Sequence, residues 1–171
     1  MSDLELKVIS SLYKNLSNNE LKDQYEKIIN NEVNISEEDR YSLLIESIKS
    51  GLYKFTKLLL SSDKININQE KNGLTAIIAS LFYMRYREHQ KEICNLLIKS
   101  GASLDIFKGG SITPLVYAIK SSDIDIVKLL LKYEKRHKYY NHLTRNVVTP
   151  LMIALTENKL DVVKLLLRRS N

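Results

Sequence analysis

Apolar residues recur along this chain in short blocks that keep helical spacing. GLTAIIASL from Gly73, SITPLVYAI from Ser111 and VVTPLMIAL from Val148 share one pattern, and YSLLIESI from Tyr41 joins them when Ser42 takes the place of the threonine. The starting residues Ser42, Thr75, Thr113 and Thr149 lie 33, 38 and 36 apart. Each segment leads into an aliphatic block: Lys57 to Leu60, Asn95 to Ile98, Lys128 to Leu131 and Lys164 to Leu167. From start to first leucine is 16 residues in three copies and 21 in the second, so the second copy carries five extra residues. A three-residue lengthening after Leu131 accounts for the remaining difference, and the underlying period is 33.

The columns of this repeat are chemically consistent. Two residues after each start stands Leu44, Ile77, Leu115 or Leu151, and six after stands Ile48, Leu81, Ile119 or Leu155. Positions four apart share one helix face. Five after the start stands a small residue, Ser47, Ser80, Ala118 or Ala154, which lets a neighbouring helix approach closely. Thr113-Pro114 and Thr149-Pro150 each supply an N-cap hydroxyl followed by a proline whose missing N–H costs nothing there. Ser36-Glu37-Glu38-Asp39 opens the first helix of the first copy and sets negative charge at its positive end. Upstream, Leu4, Val8, Leu12 and Leu16, then Leu21, Tyr25 and Ile28, predict two short helices over 3–30, with Ser17 to Glu20 at capping-box spacing. The fold class is therefore an all-α solenoid of stacked helix pairs. It comprises a helical N-terminal cap over 1–35 and four repeats over about 36–70, 71–108, 109–144 and 145–171, as one continuous domain.

These residues give the chain its resemblance to the ankyrin-repeat family: Thr-Pro-Leu-x-x-Ala at Thr113 to Ala118 and Thr149 to Ala154, the period of 33, and the Val-Lys-Leu-Leu-Leu of the second helix. Asn72-Gly73 before Thr75 and Ser100-Gly101-Ala102 after the second aliphatic block match the family's turns. The resemblance covers about residues 36 to 171 and implies short β-turn fingers between helix pairs. The family's histidine after Thr-Pro-Leu is replaced by Ile45, Ile78, Val116 and Met152, so its hydrogen-bond network is expected to be absent and the stacking more apolar. Ala76 replaces the proline in the second repeat. Of the glycines that end the second helices only Gly101 survives, with Asp63, Glu134 and Ser170 at the equivalent places.

Composition narrows the class of function. One cysteine, Cys94, rules out an intramolecular disulfide framework and multi-cysteine zinc sites, and its column, shared with Thr56, Val127 and Val163, reads as buried core. Five glycines and two prolines are too few for a sandwich or barrel. No apolar run reaches the roughly 18 residues of a membrane span and the first 30 residues lack a signal-peptide core, so a cytoplasmic protein is expected. His89, His137 and His142 fall in insertions or loops, with no nucleophile triad, phosphate loop or paired metal ligands, so no catalysis, cofactor or metal is expected. The formal charge of +6 divides into −2 over residues 1–72 and +8 over 73–171.

Function then rests on what repetition leaves free. The resemblance implies a protein-binding module, monomeric or weakly oligomeric. Its concave face would be made of finger tips and the exposed side of the first helices: Lys71, Asn72 and Leu74, then Gly109, Gly110 and Ile112, then Arg145, Asn146 and Val148, together with Phe82, Tyr83, Lys120, Ser121, Thr156 and Glu157. The insertion in repeat two continues Phe82 and Tyr83 with Met84, Arg85, Tyr86 and Arg87, types that dominate interface hot spots. It reads either as a binding element or as a lengthened helix that packs locally. The stretch from Lys132 to Arg145 sets Lys132, Lys135, Arg136, Lys138 and Arg145 among Tyr133, Tyr139 and Tyr140. A solvated finger, a surface for an acidic protein, and a nucleic-acid grip are its three readings. At the far end, Val162, Val163 and Leu165 to Leu167 are as apolar as internal helices, which fits either a piece of a longer array or an end covered by a partner or second copy. Abundant Lys, Asn, Ile and Tyr with scarce Gly and Pro resemble AT-rich coding, as in a large DNA virus, a protist or an intracellular bacterium. For a virus or bacterium this implies a host-directed interaction protein in the host cytoplasm.

Overall fold

The structure, a computed structural model, describes residues 36–62, 65–71, 73–83, 89–104, 113–121, 123–133 and 149–168. The N-terminal cap, the two fingers over 105–112 and 134–148, and the insertion over 84–88 lie outside the described residues. Within them the chain forms eight helices: α1 (Glu37–Lys49), α2 (Tyr53–Leu60), α3 (Ala76–Phe82), α4 (Gln90–Lys99), α5 (Pro114–Ser121), α6 (Ile124–Tyr133), α7 (Pro150–Thr156) and α8 (Leu160–Leu167). Odd helices pack on odd and even on even, α1 to α3 to α5 to α7 in one row and α2 to α4 to α6 to α8 in the other. Each odd helix also packs on the even helix that follows it. The result is a two-row stack of helix pairs.

Caps fix where each helix starts. Thr75, Thr113 and Thr149 accept from the amides of Ile78, Val116 and Met152 at 3.4, 3.2 and 3.2 Å, so the threonine works without the proline in repeat two. Repeat one differs. Its cap is Ser36, which accepts from the Asp39 amide at 3.1 Å, and Ser42 sits inside α1, donating to the Glu38 carbonyl at 2.9 Å. Starting early makes α1 13 residues long against 7 or 8 for the other odd helices.

In three of the pairs the turn between the two helices is left-handed. Gly51 has φ of 71°, His89 62° and Asn158 53°, and all three stand nine residues after the repeat start once the insertion is discounted. In repeat one the Gly51 and Leu52 amides donate back to Ile48 and Ser47 at 3.0 and 2.9 Å, closing the six-residue loop that ends many helices. His89 is thereby assigned a backbone task. Between pairs, Gly101 (φ 91°) closes α4 in the same manner, and Gly73 (φ 75°) turns a finger in which Lys71 and Leu74 exchange both backbone hydrogen bonds.

The core lies between the rows. Leu44, Ile77 and Leu115, the small column of Ser47, Ser80, Ala118 and Ala154, and Ile48, Leu81 and Ile119 are all buried. Fully burying a side chain of this size contributes roughly 1.5–3 kcal/mol. The aliphatic blocks are only partly core: Leu59, Leu97, Leu130 and Leu166 are buried, Leu58, Leu129 and Leu165 are partly exposed and pack at its edge, and Leu96 is partly exposed. Leu129 and Leu165 are therefore not full core residues, because successive helical residues turn by about 100° and one block cannot face inward throughout. In the last pair Met152, Leu155, Leu160 and Leu167 are 48–61% exposed, whereas Ile48, Leu81 and Ile119, in the column of Leu155, are covered by the next pair.

Two buried columns touch. The Ser47 and Thr56 hydroxyls lie 3.0 Å apart at zero exposure, and Ser80 hydrogen-bonds Cys94 in the equivalent place. Repeats three and four put Ala118 with Val127 and Ala154 with Val163 there. Cys94 is buried as expected, and burial pushes its thiol up to about 12, against the lowering effect of the Ser80 bond.

Polar links between pairs come from residues other than the missing histidines. The Tyr41 hydroxyl donates to the carbonyls of Gln69 at 2.5 Å and Leu74 at 3.3 Å in the next finger, and burial holds its phenol above the ordinary range. The Asn68 amide donates to the Gly101 carbonyl at 3.2 Å and accepts from the Ser103 amide at 2.7 Å, one repeat on. Gln90 Nε2 donates to the Ile48 carbonyl at 2.6 Å. Lys91 reaches Asp123 at 3.2 Å and Asp125 at 3.7 Å, while Asp123 caps α6 by accepting from the Asp125 and Ile126 amides.

Candidate partner-binding face

The odd helices leave one column outward at their C-terminal ends. Seven residues after each start it holds Lys49, Phe82, Lys120 and Thr156, none of them buried. α3 ends here with its last helical residue, Phe82, 50% exposed. Among the described residues it is the one exposed large hydrophobic outside the last pair. Phe82 packs edge-on to Tyr83 with ring centroids 4.9 Å apart and tilts against Tyr117 of α5 at 6.3 Å. The Lys49 ammonium, from the end of α1, stands 6.0 Å from the Tyr83 ring centroid, and Glu46 lies 3.7 Å from the same ammonium. Three rings and Lys49 thus form one continuous surface across the ends of α1, α3 and α5, and the exposed Lys120 stands one helical turn after Tyr117. Ser121 and Thr156 turn their hydroxyls back onto the Ala118 and Ile153 carbonyls at 2.9 and 3.0 Å. Glu157 is exposed beyond them.

Of the residues expected on this face from sequence, Phe82, Tyr83 and Lys120 fall together. Lys71 and Leu74 sit on the described finger, away from the rings. There the Lys71 ammonium pairs with Glu38 at 3.0 Å and approaches Ser42 Oγ at 3.3 Å, tying the finger to α1. Leu74 is partly buried against the core. Asn72, Arg85, Tyr86, Arg87, Ile112, Arg136, Tyr139, Tyr140, Arg145 and Val148 lie outside the described residues. Sequence reasoning missed Lys49 and Tyr117. The column shared with Phe82 and Lys120 would have found Lys49, and Tyr117 is one helical turn before Lys120 on the same side.

Among the described residues no three His, Cys, Asp or Glu side chains converge as a metal site would need, and no helix is long and apolar enough to cross a membrane. His89 instead sets its ring 6.4 Å from that of Tyr53, with Nδ1 3.9 Å from Glu92.

A family model described as ankyrin repeats (3 copies) matches residues 81–171, just over half of the chain. The chain belongs to the ankyrin-repeat family. The match begins at Leu81, so the first helix pair and most of α3 lie outside it, although they stack on the matched ankyrin pairs in the same two rows. No curated protein matches the chain. Ankyrin repeats are generally protein–protein interaction modules, and the stacked pairs with short links seen here are built as such modules are.

Proposed function

We propose that this chain is a protein-binding module whose contact surface is the outer side of the odd helices, centred on Phe82, Tyr83 and Tyr117. The half-exposed Phe82 ring carries the reading. Leaving it in water forgoes part of the roughly 1.5–3 kcal/mol its burial would contribute, and nothing in the repeat requires an aromatic there, since the same column elsewhere holds Lys49, Lys120 and Thr156. Aromatic anchors of this kind concentrate binding energy at interfaces. Because α1, α3 and α5 are held by the core, the surface is ordered before a partner arrives and little ordering entropy remains to be lost on docking.

The test compares the immobilised chain with the double variant Phe82→Ala, Tyr117→Ala, each exposed to the same cell extract and read by mass spectrometry. Proteins retained by the first and lost from the second, at matching melting temperature, are the expected result. An identical retained set on both columns would overturn the assignment.

A further inference from the structure

We infer that this surface takes an extended acidic segment with a central aromatic side chain and one carboxylate about three residues to either side. The inference rests on the protein-binding reading above and names the class of partner. Along the outward column the order is cation, aromatic, cation: Lys49, Phe82, Lys120 in three successive odd helices. Contacts join the first two positions, since the Lys49 ammonium stands over Tyr83, Tyr83 meets Phe82 and Phe82 meets Tyr117, and helical spacing sets Lys120 one turn after Tyr117 on the same side. Neighbouring packed helices stand about 8–10 Å apart, and an extended chain in the polyproline II conformation advances about 3.1 Å per residue with three residues per turn, so residues three apart share a face. One step of the ladder therefore corresponds to about three residues of an extended ligand. A side chain seated on Phe82 and Tyr117 places the residues three before and three after it over Lys49 and Lys120.

The charges facing this strip fix its polarity. Glu46 neutralises part of Lys49 from below, so the Lys120 end attracts more strongly. Glu157 on the fourth pair is exposed and repels an acidic segment that runs further, which confines the ligand to the first three pairs. The net excess of basic residues over 73–171 favours the same class of partner at long range. A tyrosine or phenylalanine at the centre gains ring-to-ring contact in addition to burial.

Four fluorescein-labelled probes test this by polarisation at 50 and 150 mM salt. They are Glu-Gly-Ser-Phe-Gly-Ser-Glu, the same peptide with lysine for both glutamates, a compact version with glutamates adjacent to the phenylalanine, and a twelve-residue oligothymidylate. The first is expected to bind best, weakening at least tenfold with Phe82→Ala and with Lys120→Glu. Lys120→Glu should also reverse the preference between the glutamate and lysine peptides, which a merely misfolded variant cannot do. Equal binding of the lysine or compact peptide, preference for the oligonucleotide, or no saturation of any peptide by 1 mM would each overturn the inference. If the peptides fail while Phe82→Ala, Tyr117→Ala still loses its retained proteins, the partner chemistry is wrong and the surface assignment stands. If both fail, the surface is wrong.

Discussion

Exchanging the buried hydroxyl pair of repeat one for the pair used in repeats three and four should leave stability almost unchanged, although either half of the exchange alone is costly. Ser47 Oγ lies 2.7 Å from the Leu44 carbonyl, Thr56 Oγ1 lies 2.9 Å from the Leu52 carbonyl, and the two oxygens are 3.0 Å apart. Two hydroxyl protons cannot fill three contacts, so one hydroxyl donates to a carbonyl and the other donates either to its own carbonyl or across the pair. Thr56→Val keeps the shape and removes one member, leaving the Ser47 oxygen facing a methyl group. Ser47→Ala does the reverse and opens a gap the size of one oxygen. Each single change should cost about 1 kcal/mol, the usual figure for a buried hydrogen bond whose partner is lost. Replacing both recreates the Ala118–Val127 and Ala154–Val163 arrangement and should cost close to nothing, because no polar atom is left waiting. The coupling between the sites is then about 2 kcal/mol, within the range for residues in direct contact. Urea unfolding followed by far-ultraviolet dichroism, on the parent and three variants, measures it. A double variant as unstable as the sum of its singles would refute the equivalence of these columns.

Three further outcomes follow from the packing. Cys94 keeps its proton in the fold up to about 12, whereas an exposed thiol loses it near 9.0, so between those values the unfolded chain binds fewer protons and stability falls as pH rises. Unfolding free energies from urea melts should drop from pH 8 to pH 10, by about 1 kcal/mol less in Cys94→Val, and equal drops would show that the thiol is not the titrating group. His89→Gly should raise the melting temperature and His89→Val lower it, since a left-handed backbone costs a residue with a β-carbon about 1–2 kcal/mol. Unchanged melting in both variants would place the strain elsewhere. Leu130→Ala should cost about 2–5 kcal/mol but Leu165→Ala only roughly 1, because the Leu165 side chain already meets water; equal costs in urea melts would contradict the helical phase described above.

Much of this architecture is legible in the chain because repetition lets four stretches vote on each position. The period, the threonine caps, the small column and the burial of Cys94 all come from that comparison. What escaped it has physical reasons. The left-handed turn is filled by Gly51, His89 and Asn158, three residues alike only in tolerating the turn, so a search for shared side chains passes over it. The contact of Ser47 with Thr56 joins two columns of different helices, and sequence separation hides it. Three leucines in a row look equivalent on paper, yet rotation about the helix axis buries Leu130 and Leu131 and leaves Leu129 at the edge. Lys71 stands on an exposed finger, but its Glu38 partner arrives from the previous repeat and cannot be seen from the finger alone. Tyr117 joins the outward strip only when ring positions are known.

Because the principal helix contacts run only between neighbouring pairs, the chain holds few cross-links that span its length. Tension applied to its two ends would load the links in series, and the weakest interface would open while the others kept their structure. Such a body yields in steps of one helix pair and recovers the same way, rebuilding each lost pair on the face of the one that held.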